Sequence, residues 1–198
     1  MTNEVTNENF LTLDVLNLIN SASTDDTRYH LTGLYINLVD QVAVATDGHQ
    51  LVWMPIENMH KDFKELAVDK NSIIIPKEAC KAFVKMLKSD PYKQSGTLTI
   101  TATTISLKIF DQVASFGLIE GEFPAYKAVI PKENGQQKYC LNPMLVEKVR
   151  KSFGIKPKDS EGFVFLLPMT GNEIDPNKPC IIKCGDKQAV IMPMRMQE

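Results

Sequence analysis

The sequence predicts an α+β protein in which a helix followed by a group of antiparallel strands occurs about three times. Three segments, 11–22, 77–88 and 143–153, carry apolar residues at helical spacing. Each is followed by short β-branched or aromatic runs punctuated by Gly, Asp and Pro, the texture of half-buried strands joined by tight turns. Apolar residues make up 43% of the 198-residue chain, enough for a core that needs no disulfides.

In the first group Val15, Leu18, Ile19 and Ala22 fall at i, i+3, i+4 and i+7, which predicts a helix over 11–22 that the polar TDDT segment ends. YHLTGLYINLV (29–39), VAVAT (42–46) and HQLVWMPI (49–56) then read as strands, with turns at Asp40-Gln41 and Asp47-Gly48. In the second group SIIIP (72–76) is a strand. Pro76 precedes a helix over 77–88 with Glu78 in its first turn and Cys80, Phe83, Val84 and Leu87 as its apolar stripe. TLTITA, TISLKIF and ASFGLIEG follow as strands. In the third group KYCL (138–141) is extended, and Asn142 and Pro143 suit the N-cap and first position of a helix ending near Phe153. GFVFLLPM, PCIIKCG and QAVIMPMRM supply its strands. A period of roughly 60 residues is long for a solenoid and suits a pseudo-symmetric assembly.

Chemical motifs are sparse. Cys80, Cys140, Cys180 and Cys184 form no C-x-x-C pair and have no histidine at zinc-ligand spacing, which points to thiols in a reducing cytosol. His30, His49 and His60 offer no i, i+4 metal pair, and there is neither a P-loop nor a dinucleotide glycine fingerprint. The Asp47-Gly48-His49 triplet could be an acid/base pair, a metal fragment or a turn. Asp47 and His49 are poorly placed to act together if the segment leaves a strand, so the turn is the expected role. The polar, acidic first ten residues and the lack of a long apolar run predict a cytoplasmic protein without a membrane anchor. No cofactor, no metal and no enzymatic activity are expected. The formal net charge of −2 leaves room for a local basic face.

Three segments in order, TRYHLTGLYINL with VATDGHQL, then GEFPAYKAVIP, then AVIMPMRM, resemble the bacterial DNA polymerase III β subunit, the sliding clamp. The resemblance implies the DNA-clamp fold. Residues 8–131 resemble that family's middle domain and 132–198 the second half of its last domain. A whole first domain and half of the third have no counterpart here. It also implies a groove that receives an extended peptide from a DNA polymerase, a clamp loader or other partners. The matching positions are Arg28, His30, Leu31, Thr46, Gly48, His49, Gln50, Leu51, Pro124 and Val129, with Val190, Ile191, Met192, Pro193, Met194 and Arg195 from the far end. Leu31, Leu51, Val190 and the methionines would form a pliable apolar slot, with Arg28, His30 and Arg195 at its rim. The same apolar composition also describes ordinary core. The sequence departs from the family where His30 replaces the usual tyrosine and Gln50 the usual arginine, and Ala128 stands where a basic residue is common.

The second implied partner is duplex DNA, held without base reading. Lys77, Lys81, Lys85 and Lys88, spaced four, four and three, form a ridge beside the apolar stripe of the second helix, and Lys148 and Lys151 lie on the third. A solvated lysine face is the alternative. The first helix offers Asp14, Asn17 and Asn20 instead of positive charge. A family ring of twelve halves would need four chains of three halves, so a homo-tetrameric clamp is the expectation. A non-encircling adaptor or decoy for clamp-binding peptides is the alternative.

Overall fold

The computed structural model describes residues 3–6, 11–56, 71–89, 96–131, 137–156 and 161–195, with backbone alone over 3–6. The chain divides into two compact units, Met1–Ile130 and Pro131–Glu198, called unit 1 and unit 2 below.

Unit 1 holds two four-stranded antiparallel sheets. One has the order β1 (Asn3–Thr6), β6 (Thr97–Ile100), β7 (Thr104–Ile109), β8 (Gln112–Gly117). The other runs β4 (Leu51–Pro55), β3 (Val42–Thr46), β2 (Gly33–Asn37), β5 (Ser72–Pro76). Helices α1 (Leu13–Asn17) and α2 (Lys77–Ser89) pack against each other, and residues of both sheets and both helices share one core. Strand alternation sorts the second sheet: Leu34, Ile36, Ala43, Ala45, Ile73 and Ile75 face that core, while Val44 and Ile74 face the other way. The outward residues are covered by the segment after β8, through Phe123 and Tyr126.

Local chemistry explains the element ends. Thr12 caps α1 by accepting from the Val15 N–H at 3.2 Å. In the β2–β3 turn the Asn37 side chain accepts from the backbone of Val39 and Asp40. Gly33 pairs with Pro76 where β2 meets β5; a Cβ there would lie 2.5 Å from Ile74 Cγ2 and 2.8 Å from the Ile75 carbonyl, so the approach of the two strands requires glycine. In α2, Ala79, Cys80, Phe83 and Met86 are buried, with Val84 and Leu87 partly so. Burial pushes the Cys80 thiol up to about 12.

Unit 2 comprises α3 (Pro143–Ser152) and a three-stranded antiparallel sheet of order β13 (Lys187–Ile191), β12 (Cys180–Cys184), β9 (Val164–Leu166). A small hairpin joins β10 (Met169–Thr170) to β11 (Glu173–Ile174). Asn142 caps α3 by accepting from the Met144 N–H at 2.9 Å, with Pro143 in the first turn. Cys180, Ile182 and Ile191 form the core of this unit, packed by Tyr139, Leu141, Val146 and Val149.

Several expected elements are altered. The helix over 11–22 is α-helical only to Asn17 and tightens to a 3-10 helix over Leu18–Ser21, where the Asn20 side chain donates to the Asn17 carbonyl. The strand expected from Tyr29 begins at Gly33. Asp26–Leu31 is instead two short 3-10 turns meeting at a kink at Arg28, the first capped by Asp25, which accepts from the Thr27 N–H at 3.0 Å and from its hydroxyl at 2.6 Å. The strand expected over 114–121 is shifted to Gln112–Gly117, and the final strand stops at Ile191. His60 lies outside the described residues.

Candidate functional site

The turn after β3 is built by two side chains. Thr46, buried at the strand end, donates its hydroxyl to the Gln50 carbonyl at 2.6 Å and accepts from the Gly48 N–H at 3.0 Å. Asp47 Oδ1 accepts from the backbone N–H groups of His49 and Gln50 at 2.8 and 2.9 Å. Those donors, that of Gln50 first, hold the Asp47 carboxyl below its usual range, the reverse of what a general acid needs. Gly48 adopts φ +91°, and a Cβ on it would fall 2.8 Å from Arg28 Nη1. The triplet is therefore a turn, and the guanidinium of Arg28 lies against its glycine. Arg28 is itself tied to Asp25 at 3.2 Å.

This turn forms one wall of a pocket of about 380 Å³, lined by Leu31, Thr46, Gly48, His49, Gln50 and Leu51 on one side and by Phe123, Pro124, Ala125, Tyr126 and Val129 on the other. The second sheet contributes Thr46 and Leu51, at the end of β3 and the start of β4. Tyr35 stacks on Phe123 with centroids 4.4 Å apart and meets Tyr126 at 6.0 Å. Lys127 pairs with Asp40 at 2.7 Å, which raises its pKa and ties the covering segment to the β2–β3 turn. Burial, before any charge effect, raises the pKa of Tyr126.

Eight residues singled out from the sequence line this pocket: Leu31, Thr46, Gly48, His49, Gln50, Leu51, Pro124 and Val129. Arg28 borders it through Gly48, whereas His30 is half-buried, edge-on to Tyr29, and does not line it. Phe123, Ala125 and Tyr126 were missed although the segment containing them was noted. An apolar pair three residues apart on either side of Pro124 was the available signal. A second cavity, about 550 Å³, lies on the other side of Phe123, between β5 and 118–123.

In unit 2, Val190, Met192 and Met194 are exposed by 64%, 60% and 48%, Ile191 is buried in that unit's core, and Arg195 is exposed. The backbone beyond β13 is held by the Met194 N–H donating to the Cys140 carbonyl at 2.9 Å. Pro193 lies in the same irregular stretch.

On α2, Lys81, Lys85 and Lys88 are exposed and Lys77 is half-buried, opposite the face that carries Phe83. On α3, Lys148 and Lys151 are exposed, but Glu147 accepts a two-pronged bond from Arg150, at 2.7 and 2.9 Å, and lies 3.5 Å from Lys151. Arg150, aided by Lys151, lowers the Glu147 pKa from 4.5 to about 2. A depressed carboxylate pKa stabilises the fold above its unfolded value, and the contribution fades as pH falls from about 4.5 through 2. A carboxyl-carbon NMR titration is expected to place the Glu147 midpoint near 2; a midpoint at 4.5 would show the pair open in solution.

The comparisons with known proteins agree with this architecture. The family described as DNA polymerase III beta subunit, central domain, matches residues 7–125. The beta sliding clamp of Rickettsia felis is 30% identical over 129 residues, covering 62% of this chain and 31% of that protein. That of Caulobacter vibrioides strain NA1000 is 29% identical over 146 residues, covering 70% and 37%. This chain thus spans about a third of the length of these relatives. Among solved structures, the DNA polymerase sliding clamp from Bacillus subtilis superposes with a TM-score of 0.70 at 16% identity, over 98% of this chain and 49% of that one. The clamp from Caulobacter crescentus does so with a TM-score of 0.65 at 23% identity, over 100% and 51%. These likenesses show the sliding-clamp fold, helix plus antiparallel sheet. The match over 7–125 takes in α1, α2, strands β2 to β8 of unit 1 and the pocket lining from Leu31 to Ala125: the chain belongs to the family of the DNA polymerase III beta subunit, through its central domain.

Proposed function

We propose that this chain is a short sliding clamp, a non-enzymatic processivity factor that surrounds duplex DNA as a homo-oligomer and tethers a DNA polymerase through a peptide-binding groove. The observation that carries this reading is the unit 1 pocket, where apolar side chains line a cleft of about 380 Å³ beside backbone groups of an ordered turn. Such a cleft suits the apolar side chains of an extended peptide. Residues Val190 to Arg195 belong to the same proposal, since their exposed methionines supply adaptable apolar surface. With His30 and Gln50 in place of the family's usual tyrosine and arginine, the preferred peptide differs from that of longer clamps.

The ridge on α2 supports the DNA half of the reading. Lysines on one exposed helix face attract phosphates without selecting bases, which suits a sliding tether. Replacing Lys81 and Lys85 together with alanine is expected to flatten the salt dependence of DNA binding, lowering the slope of log K against log salt by roughly 1 per lysine. An unchanged slope would place the DNA elsewhere.

The number of chains and the need for a loader belong to the proposal as well. Three halves per chain make a tetramer the assembly that matches a twelve-half ring. A non-encircling adaptor is the second reading, and two observations favour it: α1 shows an exposed Asp14, and Lys151 is engaged by Glu147. Retention on nicked circular DNA separates the two. A ring stays on the circle and is lost when the circle is cut to a linear form; an adaptor shows no such difference. Titration with a peptide from a polymerase that binds bacterial clamps tests the groove under both readings.

A further inference from the structure

Unit 1 shows how two helix-and-strand halves complete each other. The strand that leads each half crosses to the other: β1 pairs with β6, and β5 pairs with β2. The strand that follows each helix is therefore covered on both edges, by β1 and β7 around β6 and by β5 and β3 around β2. On its remaining edge β5 accepts, among the described residues, one bond from chain beyond the last strand of its own half, Ile119 N–H to Ile74 carbonyl at 2.9 Å. Helices α1 and α2 meet over the shared core.

Unit 2 reproduces one such half. Its leading segment, 138–141, makes the corresponding bond, Met194 N–H to Cys140 carbonyl at 2.9 Å, and among the described residues pairs with no strand. The strand in the position of β2 and β6 is β9, and among the described residues it pairs only with β12. The contrast in burial is sharp. β6 alternates half-buried and buried residues, whereas Val164, Phe165 and Leu166 of β9 are all apolar and 58%, 42% and 42% exposed. No charge or proline protects this edge. The helix is covered on one face alone: Val146 and Val149 of α3 pack, partly buried, on the core of unit 2, while Met144 and Leu145 are 64% and 36% exposed.

Among the described residues, unit 2 thus carries both an edge without a strand and a leading segment without an edge. We propose that unit 2 joins unit 2 of a second copy by a twofold exchange, segment 138–141 of each pairing with β9 of the other and the two α3 helices covering each other. Identical halves exchanging equivalent strands form a closed, isologous contact, the true-symmetry version of what β1 and β5 do in unit 1. The occupant is a second copy because the missing piece at each place is the piece that the same unit leaves unused. This interface rests on strand topology; its place in a DNA-encircling ring rests on the proposed function.

Sedimentation equilibrium of the full chain at micromolar concentration tests it. The wild type is expected at an even multiple of 22.2 kDa. The Val164→Lys, Leu166→Lys double variant should have at most half the wild-type mass, with circular dichroism and peptide affinity unchanged. In the wild type, deuterium uptake at 164–166 should slow as concentration rises. That second readout does not depend on the variant folding. A monomeric wild type, a double variant of wild-type mass, or uptake independent of concentration overturns the exchange, as does protection that appears only when a different protein is added. Loss of peptide affinity in wild type and variant alike would overturn the groove and leave the exchange standing.

Discussion

Replacing Leu51 with aspartate is expected to weaken binding of a clamp-binding peptide by about 100-fold or more, while the protein remains folded. Leu51 pairs with Thr46 at the end of the β3–β4 hairpin and packs, partly buried, on the cluster beneath the pocket. In the empty pocket a carboxylate there still reaches water, so the free protein loses little. An apolar peptide side chain would seal that carboxylate away without a counter-charge, and groups at the centre of an interface typically account for about 2–4 kcal/mol. Each 1.4 kcal/mol is about a factor of ten, which sets the expected scale. Met194→Glu is expected to act in the same direction. Fluorescence anisotropy of a labelled peptide measures both, and unchanged affinity for L51D would place the peptide outside the pocket.

The largest loss of stability is expected from Phe83→Ala. Phe83 has no solvent exposure, and its ring meets that of Phe116 edge to face, 5.8 Å apart at 76°. It joins α2 to the first sheet and lies within the cluster shared by both sheets. Removing a fully buried phenylalanine costs about 3–5 kcal/mol, because the lost transfer energy is joined by an unfilled cavity. In a unit of this size that corresponds to roughly 10–20 °C in the midpoint of unit 1 melting. Calorimetry is the measurement, and a shift of only a degree or two would mean that the core repacks around the hole. Unit 2 has its own core around Ile182, so its transition should stay in place.

Phe83 and Leu51 also mark how legible the molecule was. The α2 stripe of Cys80, Phe83, Val84 and Leu87 was visible because the helical period sustained over 77–88 leaves little ambiguity, although burial extends to Ala79 and Met86 as well. The stretch from Tyr29 read as strand because it belongs to an aromatic and β-branched run, YHLTGLYINLV. The capping oxygens of Asp25 instead start a 3-10 turn at Asp26, with a second turn following the kink at Arg28, a case of side-chain hydrogen bonding overriding pattern. Pocket residues on the β3–β4 hairpin were found through resemblance, whereas Phe123 lies on irregular backbone and Tyr126 opens a single 3-10 turn, Tyr126–Ala128, too short to carry a period. Their burial comes from tertiary contact with Tyr35, which no local rule encodes. The β10–β11 hairpin was passed over because it begins only at the last residue of the apolar run 162–169, although Gly171 and Asn172 between its strands are a turn signal.

Cys80 sits one turn before Phe83 in α2, sealed in the same core, with its thiol pushed up to about 12. Alkylating reagents attack through thiolate, so at neutral pH this sulfur is both unreachable and in its unreactive form. Its modification is therefore tied to moments when the two sheets part. The pace of labelling at Cys80 becomes a clock for opening of unit 1, readable by mass spectrometry in the intact assembly, with the more accessible Cys140 as the internal reference.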